Sequence, residues 1–75
     1  MAYNGYSNYE TWNVCLWIDN DEGLYNLKEE ESKDWTAEKA EGFVKMVFPE
    51  GTPDFDSVRD FQKVDWEEVA DVFND

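Results

Sequence analysis

The stretch YETWNVCLWIDNDEG, residues 9–23, decides how this chain folds. Tyr9, Trp12 and Leu16 recur at i, i+3 and i+7, and Cys15 and Ile18 widen that face. Val14 and Trp17 extend the apolar surface toward another side. A segment apolar over more than half its circumference reads as a central helix. Ser7 followed by Glu10 three residues on fits a capping box, which starts the helix near residue 8. Its β-branched and aromatic content leaves a strand as the weaker alternative. Asn20-Asp21 then reads as a break and a new N-cap, with Asp21 and Glu22 favourably placed in the first turn of a second helix.

Working outward, the pattern predicts an all-α bundle of about four helices, over residues 8–19, 21–33, 37–48 and 65–74. The second helix has a narrow apolar face, Leu24, Leu27 and part of Tyr25, and a solvated end that includes the i, i+4 pair Glu29 and Lys33. The third opens at the N-cap Thr36 and carries Ala40, Phe43, Val44 and Val47 as its stripe. FVKMVF alone would pass for a strand, but the cap and the preceding AEKAE favour a helix. Pro49-Glu50-Gly51-Thr52-Pro53 ends it. Phe55, Val58 and Phe61 keep three-residue spacing, so a short helix is expected near 56–61. Asp65 is an N-cap with Glu68 three residues on, and Val64 and Val69 form a hydrophobic staple around it. Trp66, Val69, Ala70 and Phe73 complete the last stripe. Residues 1–6, MAYNGY, read as a flexible arm.

At 75 residues the chain is expected to be one domain with a thin core. Four Trp, four Tyr and five Phe compensate, and argue against a disordered acidic tail. Nineteen Asp and Glu face six Lys and Arg, for a net charge of −13. That balance disfavours direct binding to nucleic acid or to an anionic membrane, because phosphates are held by Lys and Arg. Cationic surfaces are the expected partners. A lone cysteine permits no internal disulfide. The N-terminus has no basic region followed by an apolar run, and no stretch approaches membrane-spanning length. A soluble cytoplasmic protein is expected.

Candidate chemistry is sparse. Asp19 and Asp21 resemble the start of a calcium-binding EF-hand loop, with Glu30 at its twelfth position. The sixth position needs glycine for its turn and holds Leu24, with Gly23 one place early, so the loop fails. With no His and one Cys, no zinc site and no His-based triad can be assembled. Cys15 lies inside the most apolar helix and reads as an inert thiol. Paired carboxylates could serve as acid and base, but nineteen of them will fall near one another by chance, and so short a chain leaves little volume for a cleft. The chain is therefore expected to be no enzyme and to need no cofactor or metal. Trp12 and Trp66 share stripes with aliphatic residues and read as core. Trp17 and Trp35 are the candidates for an interface.

The remaining signal is the acidic surface. Glu29, Glu30, Glu31, Asp54, Asp56, Asp60, Glu67, Glu68 and Asp71 lie mostly off the apolar stripes. A charge of −13 exceeds what solubility needs in a small domain, about 2–8. B-form DNA carries one charge per about 1.7 Å of axis, a spacing that a rigid helical domain studded with carboxylates can copy. Binding of a protein with a basic surface, in its sharpest form as a DNA mimic, is the expected function. The alternative is a small assembly module, with a homodimer as one form, that uses an aromatic patch and owes its acidity to solubility.

NYETWNVCLWIDNDEG resembles the opening of a family of small proteins of bacteriophages and other mobile elements, which begin with a segment similar to NYETWNVALWLDNDEG. VDWEEVA, residues 64–70, resembles the VDWxEIA-type ending of the same proteins. The two segments cover about a third of the chain. Most of those proteins have Ala where this chain has Cys15, which fits a small packed side chain there. The resemblance implies a phage gene acting in a bacterial cytoplasm, and together with the acidic surface it makes a host protein the expected partner. It carries over no catalytic or binding residue.

Overall fold

The computed structural model describes residues 3–31 and 33–75. Four α-helices and one 3₁₀ helix follow one another: α1 (Tyr9–Asn20), α2 (Glu22–Glu29), α3 (Ala37–Val47), the 3₁₀ helix (Val58–Lys63) and α4 (Trp66–Asn74). The all-α reading holds, and among the described residues no helix is long and apolar enough to cross a membrane. α4 packs against α3 and α1, while α2 and the 3₁₀ helix lean on α1.

Three of the helix starts stand where the sequence puts them. Asp21, Thr36 and Asp65 each turn a side-chain oxygen onto the backbone N–H three residues ahead, at 3.0, 3.1 and 3.1 Å. The first start differs. Asn8, not Ser7, caps α1, because its Oδ1 accepts from the Thr11 N–H at 2.9 Å while its Nδ2 donates to the Lys63 carbonyl at 2.6 Å. Ser7 instead donates its backbone N–H to Glu68 Oε1 at 3.0 Å, so no capping box closes on Glu10.

α2 stops at Glu29, short of the expected Lys33; the part of that expectation at residue 32 lies outside the described residues. Glu29, Glu30 and Glu31 crowd negative charge at the helix C-terminus, where the macrodipole is already negative. The Glu29–Lys33 pair still forms, at 3.9 Å. The short helix expected near 56–61 is a 3₁₀ helix two residues later, since Ser57 takes the cap and accepts from the Arg59 N–H at 3.1 Å.

Residues 3–6 form a closed turn where the sequence suggests a loose arm. Tyr3 and Tyr6 exchange backbone hydrogen bonds at 2.5 and 2.8 Å across Asn4 (φ 49°) and Gly5 (φ 89°). Positive φ at both central residues is what a type I′ turn requires, and Asn-Gly supplies it at little cost. Gly51 plays the same part after α3: its φ is 96°, and a Cβ there would stand 3.0 Å from the Phe55 ring.

The core is built from Val14, Cys15 and Ile18 of α1, Ala40, Phe43 and Val44 of α3, Phe61 of the 3₁₀ helix, Val69, Ala70 and Phe73 of α4, and Trp35 and Val64 from the connections. Trp35, Phe43 and Phe73 meet edge to face, with centroids 5.0–6.2 Å apart. The Asn74 side-chain amide grips the Trp35 backbone from both sides, accepting from its N–H and donating to its carbonyl, each at 2.8 Å. Lys28 is buried along its stem, with its ammonium 5.2 Å from the Phe73 ring centre and paired to Asp19 at 3.4 Å and Glu29 at 3.7 Å.

Candidate interaction surface

α1 carries two buried polar residues, Thr11 and Asn13, on its inward side, and the half-buried Asn8 caps it. Thr11 accepts the Asp65 N–H on its hydroxyl at 2.9 Å, and Asn8 holds the end of the 3₁₀ helix. Asn13, fully buried, accepts from the Thr52 hydroxyl and donates through Nδ2 to Asp54 Oδ2 at 2.8 Å. Trp17 Nε1 donates to the same oxygen at 2.9 Å. Tyr9, Asn13 and Trp17 follow one another at four-residue spacing, so they form one ridge of α1, and Asp54 is fixed upon it. These two donors hold the Asp54 carboxyl below the ordinary aspartate range.

Beside this ridge stands a cluster of three rings. Tyr3 lies 5.4 Å from Tyr9 and 5.0 Å from Trp12, and Tyr9 lies 5.7 Å from Trp12. None of the three belongs to the core or to the half-buried residues packed against it, and Tyr3 is 41% exposed. The Tyr9 hydroxyl has a raised pKa, first through desolvation and then through electrostatic repulsion, Asp54 foremost, with smaller contributions from its neighbours Tyr3, Glu10 and Asp56.

The two tryptophan assignments exchange places. Trp35, a candidate interface residue, is 5% exposed and central to the core. Trp12, expected in the core, is half-buried among the surface rings. Trp66 does pack against the core, and half-buried Trp17 rests edge-on against Phe48 at 6.4 Å. The signal for the ring cluster was in the sequence: Asn-Gly between two tyrosines marks a hairpin turn that folds Tyr3 back onto α1.

The candidate carboxylates divide into two groups. Glu29 and Glu31 pair with lysines (Glu31 with Lys39 at 3.8 Å), as does Asp60, with Lys63 at 3.6 Å. Glu68 is occupied by the Ser7 N–H. Glu30, Asp54, Asp56, Glu67 and Asp71 are exposed and hold no salt bridge among the described residues. Glu67, Asp71 and Asp75 succeed one another by four residues along the outer side of α4, one negative charge about every 6 Å.

Little here supports bond-making chemistry. Among the described residues, no group of three or more carboxylates or thiols converges as a metal site would. Burial pushes the Cys15 thiol up to about 12, with Asp19 and Glu68 adding to the shift, which leaves it protonated and unreactive at neutral pH. A shallow groove of about 270 Å³ runs over α3 between Glu31, Trp35, Lys39, Gly42, Phe43 and Met46. Its two charged lining residues, Glu31 and Lys39, pair with each other at 3.8 Å.

The chain belongs to a family of unknown function, DUF7249, whose model matches residues 1–75. No curated protein and no solved structure matches it.

Proposed function

We propose that this member of DUF7249 is a non-enzymatic acidic protein that binds the basic surface of a host protein, in the manner of a DNA mimic. One observation carries the reading. Lys28, Lys33, Lys39, Lys45 and Lys63, five of the six cationic side chains, are each spent on a carboxylate of the same chain. What faces outward is therefore a nearly unbroken negative field. The longest dimension of the fold is 29 Å, and a B-form duplex of that length carries about 17 charges. The chain offers a net −13 over the same length, so its field is of duplex strength. The carboxylate row on α4 and the short, hydrogen-bonded connections make that field a fixed one.

On the strength of the motif resemblance, the partner in this reading is a protein of a bacterial cytoplasm invaded by a phage or mobile element. The test is capture from a bacterial lysate at low and high salt, with partners identified by mass spectrometry. Basic nucleic-acid-binding proteins should be retained at low salt, released by salt and displaced by duplex DNA. Recovery of non-basic partners alone, or retention indifferent to salt, would overturn the proposal.

The surface rings favour a second reading, an assembly module that self-associates through Tyr3, Tyr9 and Trp12. It predicts a dimer in sedimentation that dissociates on Trp12→Ala. Bringing two chains of −13 together opposes such a dimer at low ionic strength.

A further inference from the structure

We propose that Tyr3, Tyr9 and Trp12, together with Asp54, form the contact point for an arginine side chain of the basic partner. This inference rests on the reading above and assigns the place where recognition is strongest. The three rings touch one another and stand outside the core, so core packing does not explain them. The chain covers other rings with its own lysines: Lys28 lies over Tyr25 and Phe73, Lys39 over Trp35 and Lys45 over Phe61. No described lysine or arginine lies over Tyr3, Tyr9 or Trp12. The negative ring faces that attract a cation thus meet no described cation of this chain.

Asp54 makes the point selective. Its Oδ2 is held by the Asn13 amide and the Trp17 indole, which fix the carboxylate on the ridge that also bears Tyr9. No described residue donates to its Oδ1. A carboxylate already held in place loses little freedom when a guanidinium docks on it. The charges of Asp54 and Asp56 also raise the Tyr9 pKa, in keeping with carboxylates on the side of the rings. A planar guanidinium can stack on a ring face and direct its N–H groups at a neighbouring carboxylate, whereas the compact, strongly hydrated ammonium of lysine does this poorly.

The experiment uses the full chain labelled with ¹⁵N and two synthetic peptides that differ only in carrying arginine or lysine within a glycine-serine spacer. The Trp12 indole resonance should move more than that of Trp66, and the arginine peptide should bind more tightly than its lysine twin. Trp12→Leu and, independently, Tyr3→Ala should each weaken the arginine peptide about threefold to tenfold. The double change Glu67→Gln with Asp71→Asn, on α4, should weaken both peptides alike. Equal affinity for the two peptides, with Trp12→Leu and Tyr3→Ala both without effect, would overturn the contact point and leave the acidic-binder reading standing. Binding of neither peptide at low salt would overturn both. Circular dichroism of each variant confirms that the helices persist, and Tyr3, out on the turn, is the change least able to disturb them.

Discussion

Two of the aromatic clusters in this small fold, of three rings each, are treated oppositely by it. Trp35, Phe43 and Phe73 are 5%, 7% and 1% exposed and interlock edge to face between α3 and α4. Tyr3, Tyr9 and Trp12 show comparable centroid distances but lie outside the core. Ring contact alone therefore does not distinguish a stabilising cluster from an available one. The difference lies in what surrounds the rings: aliphatic side chains and the Asn74 clamp in one case, carboxylates and solvent in the other.

The comparison can be broken most sharply at Phe73. Phe73→Ala should cost about 3–5 kcal/mol in denaturant unfolding, a large share of what so small a domain possesses. Asn74→Ala should cost about 1–3 kcal/mol by the same measurement, since it strips both backbone groups of Trp35 of their partners. Trp12→Ala should cost no more than about 1.5 kcal/mol, because it empties no enclosed space. A loss as large as that of Phe73→Ala would show the two clusters to be energetically alike. Gly42→Ala should stabilise by about 0.4–1 kcal/mol, since the position is helical and nothing lies within 4 Å of an added Cβ.

The smallest expected effect concerns pH. Asp54 has a lowered pKa in the fold, so its hydrogen bonds favour the native state above the ordinary aspartate value and lose their effect as pH falls through the lower folded value. The Trp17 indole N–H resonance should report this as a titration with a midpoint below 3.8. A midpoint at or above that value would mean the ridge does not hold the carboxylate.

Much of the fold was legible in the sequence because caps and stripes are local signals. Asp21, Thr36 and Asp65 announce their helices by residue type alone. Asn8 and Ser7 could not be told apart, since what decides between them is a carbonyl 55 positions away at Lys63 and a carboxylate 61 away at Glu68. Trp12 and Trp35 were misplaced for a related reason. A helical stripe says which residues share a side, not which of two adjacent sides meets the neighbouring helices. Trp12 shares a stripe with Leu16, yet the side that turns inward carries Thr11, Val14, Cys15 and Ile18. Trp35 belongs to no stripe and is carried into the core by the Asn74 clamp. The Asp54 ridge was out of reach altogether, because a buried Asn13 in mid-helix gives no hint of the loop residue it will hold.

The fastenings of α1 also bear on when this protein can fold. Its first half is tied to Asp54, Lys63, Asp65 and Glu68, at sequence separations of 41, 55, 54 and 61 residues. No earlier segment supplies substitutes for these partners. A chain emerging from the ribosome would therefore carry its most apolar helix without these four fastenings until residues 54–68 have been made. Closing such loops is a gradual entropic cost, about 0.6 kcal/mol for each doubling of length, but it falls due all at once. α1 should therefore be fully secured only once the 3₁₀ helix and the start of α4 have formed, although it precedes both in the chain.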